Sequence, residues 1–222
     1  MPMYRQGSLS AYVEEAAARK PTPGGGSVSA LAGALAAAMG EMSANYTQSA
    51  DCTQSADCAQ SADCARSADE ARALCEVLGS CRDRLLELVD GDVVAYGRVH
   101  AAYGMPKGTQ AERGARREAI RTALRGAMEA PLDVMRQCAR VAEAADRLAD
   151  AGNPNLITDV GVSAVLAEAA CAAARLNVEV NLKYLKDDGA TEVACREMDD
   201  LTRRTAGVRR SVAEKVARHL AG

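Results

Sequence analysis

Residues 152–187 read GNPNLITDVGVSAVLAEAACAAARLNVEVNLKYLKD. Gly152 suits the position just past a helix, and Asn155 can cap the next one. From about Leu156 to Lys186 nothing interrupts a helix, and the run is far too long for a strand. Its commonest residue is Ala, the best helix former, with Val and Leu beside it. The whole chain shares this character. Of 222 residues 48% are apolar, Trp and Phe are absent, and six Tyr supply all the aromatic surface. Sheets favour β-branched and aromatic residues, so this composition predicts an all-α protein whose helices approach closely.

Working outward, Gln110 to about Arg125 and Pro131 to Leu148 read as two further helices, Pro131 standing at a first turn or a kink. From about Ala68 to Ala102, Leu74, Val77, Leu78, Cys81, Leu85, Leu88 and Val89 recur at helical spacing, with Gly91 a candidate interruption. Tyr103-Gly104-Met105-Pro106 closes that element. Near the N-terminus Ser8 or Ser10 can cap a helix to about Arg19, which PTPGGGS at 21–27 ends. Ser27 then reads as the cap of a helix to about Asn45, where Gly33 and Gly40 lie on one face and admit a close neighbour. After Asp187-Asp188-Gly189 a charged helix runs from about Ala190 to Leu220. No linker divides the chain, so one domain spanning residues 1–222 is expected, a bundle of long antiparallel helices.

Several function classes are not expected. A net charge of −3 and a pI near 5.5 give no basis for binding nucleic acid or an anionic membrane. The N-terminus lacks an apolar signal region, and Val28–Met39 is too short to span a bilayer. A cytoplasmic location is therefore expected, with the eight Cys as free thiols. A degenerate repeat, TQSADC, TQSADC, AQSADC, ARSADE, occupies 47–70 and reads as an inserted extension or loop. On a helix its Cys52, Cys58 and Cys64 would point about 120° apart, so no shared metal site is expected.

Four segments carry a resemblance: PTPGGGSVSALAGALAAAM (21–39), LVDGDVVAYGRVHAAYGMPKGT (88–109), GNPNLITDVGVSAVLAEAA (152–170) and LNVEVNLKYLKD (176–187). In this order they resemble the cyclodeaminase domain of formiminotransferase-cyclodeaminase and the stand-alone methenyltetrahydrofolate cyclohydrolases of that family. The repeat at 47–70 departs from the family, where the second helix usually ends in a short Gly- and Lys- or Arg-containing turn. The resemblance implies an all-helical homodimer that binds a reduced folate. The activity it implies first is hydrolysis of the 5,10-methenyl bridge of tetrahydrofolate to 10-formyl-tetrahydrofolate. A cyclodeaminase releasing ammonia is the alternative, and a non-catalytic or repurposed bundle outside folate metabolism is a rival of another class.

Both reactions pass through a tetrahedral carbon and need a positioned proton acceptor and a clamp on the pterin, but no cofactor beyond the tetrahydrofolate substrate. Gly24, Gly25, Gly26 and Ser27 open a helix whose first N–H groups can receive a negative or carbonyl oxygen; the other reading is a tight turn that Ser27 caps. Asp159, a charge among Val160, Val162 and Val165, is the expected catalytic carboxylate, against the reading of a helix-start aspartate favoured by the dipole. Lys107, in the MPK-like turn, is the second catalytic candidate, against a plain surface lysine. Asn153, Asn155, Asn177 and Asn181 are expected to bind substrate, and a facing helix could equally partner the last two. Asp159 and Asn177 share a helix face but stand about 27 Å apart, too far to hold one pterin in one subunit, so either the folate stretches between them, a dimer mate brings them together, or one has a structural job. Of Asp90 and Asp92, which flank Gly91, one can face the site, against the equally favoured reading of an exposed interruption. Tyr46, Tyr96, Tyr103 and Tyr184 are the candidates to stack on a ring, and Arg113, Arg116, Arg117, Arg121 and Arg125 form a basic stretch suited to anionic folate tails or to plain solvation.

Overall fold

Six α-helices carry the fold: α1 (Leu9–Ala17), α2 (Gly25–Gln48), α3 (Ala62–Tyr103), α4 (Gln110–Ala151), α5 (Ile157–Leu185) and α6 (Asp188–Ala221). The computed structural model describes residues 3–48, 62–185 and 187–221, and among these there is no strand. The reading of Cys52, Cys58 and Cys64, with most of the 47–70 repeat, lies outside the residues whose side chains are described.

Helix ends follow local chemistry. Ser8 caps α1, its Oγ accepting from the Ala11 N–H at 3.2 Å. Thr109 caps α4 and exchanges hydrogen bonds with Glu112, a capping box. Gly152 ends α4, where a Cβ would strike the Leu148 carbonyl oxygen. Two caps differ from expectation. Asn153, not Asn155, caps the turn into α5: its Oδ1 accepts from the Asn155 N–H at 3.0 Å. Ser27 is not a cap either, because α2 already begins at Gly25 and Ser27 lies buried in its first turn.

Two expected interruptions are absent. Gly91 stays within α3, and Pro131 lies inside the single 42-residue α4. A mid-helix proline has no N–H for the carbonyl four residues back. That carbonyl, Ala127 O, instead accepts from the Asn181 side-chain amide of α5 at 3.1 Å. The helix therefore continues with its freed acceptor satisfied.

Helix α2 lies against α3, α4 and α5, α4 also packs against α3 and α5, and α6 covers α4 and α5. Small residues make this possible. A Cβ added at Gly33 would come within 2.9 Å of Cys138 Sγ and 3.1 Å of Leu85, and one at Gly40 within 3.1 Å of Ser163 Oγ and 3.2 Å of Leu78. Gly26, one heptad earlier, faces Asp92 in the same way. Gly26, Gly33 and Gly40 thus oppose Asp92, Leu85 and Leu78, two seven-residue rows running antiparallel. Asp92 occupies a register position that leucine fills in the next two layers. Of the α3 residues read as core, all but half-buried Val77 are buried.

Candidate functional site

At the N-terminal end of α2 the bundle opens into a cavity of about 510 Å³, a size suited to a small molecule. The turn before α2 supplies Pro21, Gly24 and Gly25, and α3 supplies Asp92, Tyr96, Val99 and Tyr103. Leu124 and Ala127 come from α4, and Asn177, Val180, Asn181 and Tyr184 from α5. Three of the four tyrosines read as ring-stacking candidates are here, while Tyr46 lies elsewhere.

The polar groups are few and fixed. Asp92 sits over the first turn of α2. A Cβ at Gly26 would collide with its Oδ1, and one at Gly24 would lie 3.8 Å from its Oδ2. Burial pushes the Asp92 carboxyl above the usual carboxylate range, and the Ser27 backbone N–H draws it partly back. Asp92 therefore takes the place at the helix N-terminus that a bound anion could fill. Asn177 closes on Gly25, where a Cβ would be 3.2 Å from its Oδ1. The Asn177 amide donates to Ala173 O at 3.0 Å, and that of Asn181 to Asn177 O at 2.8 Å and to Ala127 O. Two backbone carbonyls occupy the Asn181 NH₂ and one engages that of Asn177, leaving both amide oxygens and the second Asn177 N–H to a ligand.

Beneath the floor, Ser27 Oγ and Tyr12 Oη are hydrogen-bonded at 2.9 Å, and burial raises the Tyr12 hydroxyl's proton affinity. The neighbouring carboxylate, Asp90, points away and accepts from the Tyr4 N–H at 2.7 Å. At the rim the Arg116 guanidinium lies 5.7 Å from the Tyr103 ring centroid and donates to Tyr103 O at 3.1 Å. Arg117 and Arg121 line a second hollow that shares Leu124 and Tyr184 with the cavity.

The structure brings Gly24, Gly25, Asn177 and Asn181 together, with Gly26 and Ser27 just beneath them. It does not bring in Asn153, Asn155 or Asp159. The Asn153 N–H donates to Thr47 Oγ1 at 2.9 Å, which fixes that turn at the far end of α2, roughly 33 Å from Gly25. Asp159 starts α5 at that same far end, so the distance between Asp159 and Asn177 is real and no single cavity spans it. Lys107 is exposed in the α3–α4 turn and lines no part of the cavity. Asp92 was left level with Asp90 by the sequence; the signal that separates them is the heptad from Leu78 and Leu85.

The chain matches the family model described as formiminotransferase-cyclodeaminase over residues 8–200. It is 32% identical over 209 residues to a methenyltetrahydrofolate cyclohydrolase of Methylorubrum extorquens, covering 94% of this chain and 95% of that protein. To the formimidoyltransferase-cyclodeaminase of Rattus norvegicus it is 33% identical over 181 residues, 82% of this chain but 31% of the relative. Its fold matches the crystal structure of a formiminotetrahydrofolate cyclodeaminase from Thermotoga maritima with a TM-score of 0.81 at 28% identity, covering 96% and 98% of the two chains.

Proposed function

Because the chain belongs to the formiminotransferase-cyclodeaminase family, we propose that its cavity hydrolyses the methenyl bridge of 5,10-methenyl-tetrahydrofolate to give 10-formyl-tetrahydrofolate. The observation that carries the chemistry is one half-buried carboxyl, Asp92, fixed at a helix N-terminus inside a cavity walled by tyrosines and two asparagines. The water oxygen bonds to the bridge carbon while the Asp92 carboxylate accepts its proton. The tetrahedral adduct then collapses with cleavage of the bond from that carbon to N5, and N5 keeps the electron pair and takes a proton. One proton is released overall, and the electrons balance without an oxidant or reductant. A raised proton affinity suits Asp92 to this role, since a base is most effective when its pKa lies near the working pH.

Asn177 and Asn181 offer amide oxygens to the donor groups of the pterin, and Tyr96, Tyr103 and Tyr184 provide faces for its ring. Asp159, outside the cavity, is assigned no part in the reaction. Loss of methenyl absorbance on adding protein tests the proposal. Asp92→Asn should lower turnover at least about a hundredfold and Asp159→Asn should leave it within about twofold. No binding of methenyl- or 5-formyl-tetrahydrofolate at millimolar ligand would overturn it. Cyclodeamination is the second reading, favoured by the Thermotoga likeness, and passes through the same tetrahedral carbon. Ammonia released from a formimino substrate distinguishes it.

The same proposal includes a homodimer formed through α2 and α5. Val28, Ala32, Leu35, Met39, Met42 and Tyr46 follow one another along α2 at alternating spacings of four and three, and none is buried. Glu41, the one charge on α2, turns away to pair with Arg82. On the neighbouring α5, Val162, Val165, Leu176 and Val180 stay 45–66% exposed. Uncovered apolar seams at this spacing suit the same pair of helices in a second copy, related by a two-fold axis.

A further inference from the structure

We propose that Tyr12, which does not touch the cavity, is a positioning residue that holds the first turn of α2 against Asp92. Tyr12 is the one buried residue of α1, so that nine-residue helix is anchored through it. Its hydroxyl ends on Ser27 Oγ at 2.9 Å, and neither group lines the cavity. Ser27 directly follows Gly26, where a Cβ would collide with Asp92 Oδ1, and its backbone N–H lowers the proton affinity of that carboxyl. The segment before α1 braces the arrangement. The Tyr4 ring meets Tyr12 edge-on at 5.6 Å, Tyr4 Oη donates to Thr22 O at 3.3 Å, and the Tyr4 N–H bonds Asp90. Residues 4–12 therefore tie α3 and the turn before α2 into one unit, with Asp92 on its cavity side.

The other ionisable groups around Asp92 are few. The N-terminal segment brings Tyr4 and Arg5, the latter 3.4 Å from Asp90. Helix α3 brings Asp90, Tyr96 and Tyr103, α5 brings Tyr184, and the cavity-lining residues of α4 are Leu124 and Ala127. Among the described residues no cationic side chain lines the cavity, and the Ser27 backbone N–H supports the Asp92 negative charge.

The role rests on Asp92 being the proton acceptor, and its test is read first without substrate. Carbon-13 NMR of the Asp92 carboxyl gives its titration in the wild type, Tyr12→Phe, Ser27→Ala and the double variant. Tyr12→Phe keeps the ring and its packing on Tyr4 but removes the hydroxyl. The expected result is an Asp92 pKa raised by at least about half a unit in each single variant, with no further rise in the double variant. The acidic limb of the turnover–pH profile should move up with it, while KM stays within about twofold. An unmoved Asp92 titration in folded Tyr12→Phe overturns the inference, as does an additive shift in the double variant. If the titration shifts while the wild type hydrolyses no methenyl-tetrahydrofolate, the positioning stands and the proposed function falls.

Discussion

Asn181 shows how one side chain can answer a defect in the preceding helix. Pro131 deprives Ala127 O of its helical donor, and the Asn181 amide replaces it from α5. Asn181→Leu should therefore cost about 1–3 kcal/mol in denaturant unfolding, the scale of a buried polar group left unpaired. Restoring the backbone donor with Pro131→Ala should recover part of that loss, so the two substitutions should be strongly non-additive. Asp92 makes the complementary point. Its folded pKa lies above its unfolded value, so its ionisation opposes folding: the stability it contributes is present below the unfolded pKa, near 3.9, and lost as pH rises through the raised value. Asp92→Asn should thus melt higher than the wild type at pH 7, with the gap closing toward pH 4, as calorimetry would show. Gly26→Ala should abolish most turnover while Asp92 remains in the chain, because the new Cβ takes the space of its carboxylate.

At the level of helices, the glycine row of α2 sets how closely α3, α4 and α5 draw in, and caps set where each helix begins. Asp187 does two tasks: its Oδ1 accepts from the Ala190 N–H at 3.1 Å to cap α6, and its other oxygen pairs with Arg125 of α4. The Arg125 partnership and then the cap hold its carboxyl below the usual range. Its stabilisation is present above the unfolded pKa and lost as pH falls through the lower folded value. The difference in melting temperature between wild type and Asp187→Asn should accordingly shrink on acidification below about pH 4. Helix α5 is informative by its composition. With the turn before it, Pro154–Leu185 is long and apolar enough to cross a membrane by length and composition, with an 18-residue window at a mean hydropathy of 1.6. In the fold it packs against α2, α4 and α6, and only part of its apolar surface is covered.

For the whole molecule, the uncovered seams on α2 and α5 lead to a concrete expectation. Sedimentation should give twice the chain mass, and Leu35→Glu with Val165→Lys should give a folded monomer; a monomeric wild type would remove the dimer. The seam was half legible in the sequence, where α2 carries one charge, but its exposure depends on which faces the other helices cover. The same division runs through the site. Periodicity, caps and the Ala-rich composition are properties of residues a few places apart, and they sufficed for most of the helices and the all-α class, while the tie between PTPGGGS and Asn177–Asn181 came from the family resemblance. They also invited the choice of Asp159, whose apolar neighbours made its charge conspicuous. What selects Asp92 is its position opposite Gly26, and what occupies Asn181 is a carbonyl freed by Pro131. Both depend on the register between helices far apart in the chain. The sequence by itself determined which stretches are helical, because that is largely local backbone energetics, though the unbroken run through Pro131 needed the Asn181 amide of α5. Only the tertiary structure decided which carboxylate meets the cavity, because that depends on how one row of side chains meshes with another.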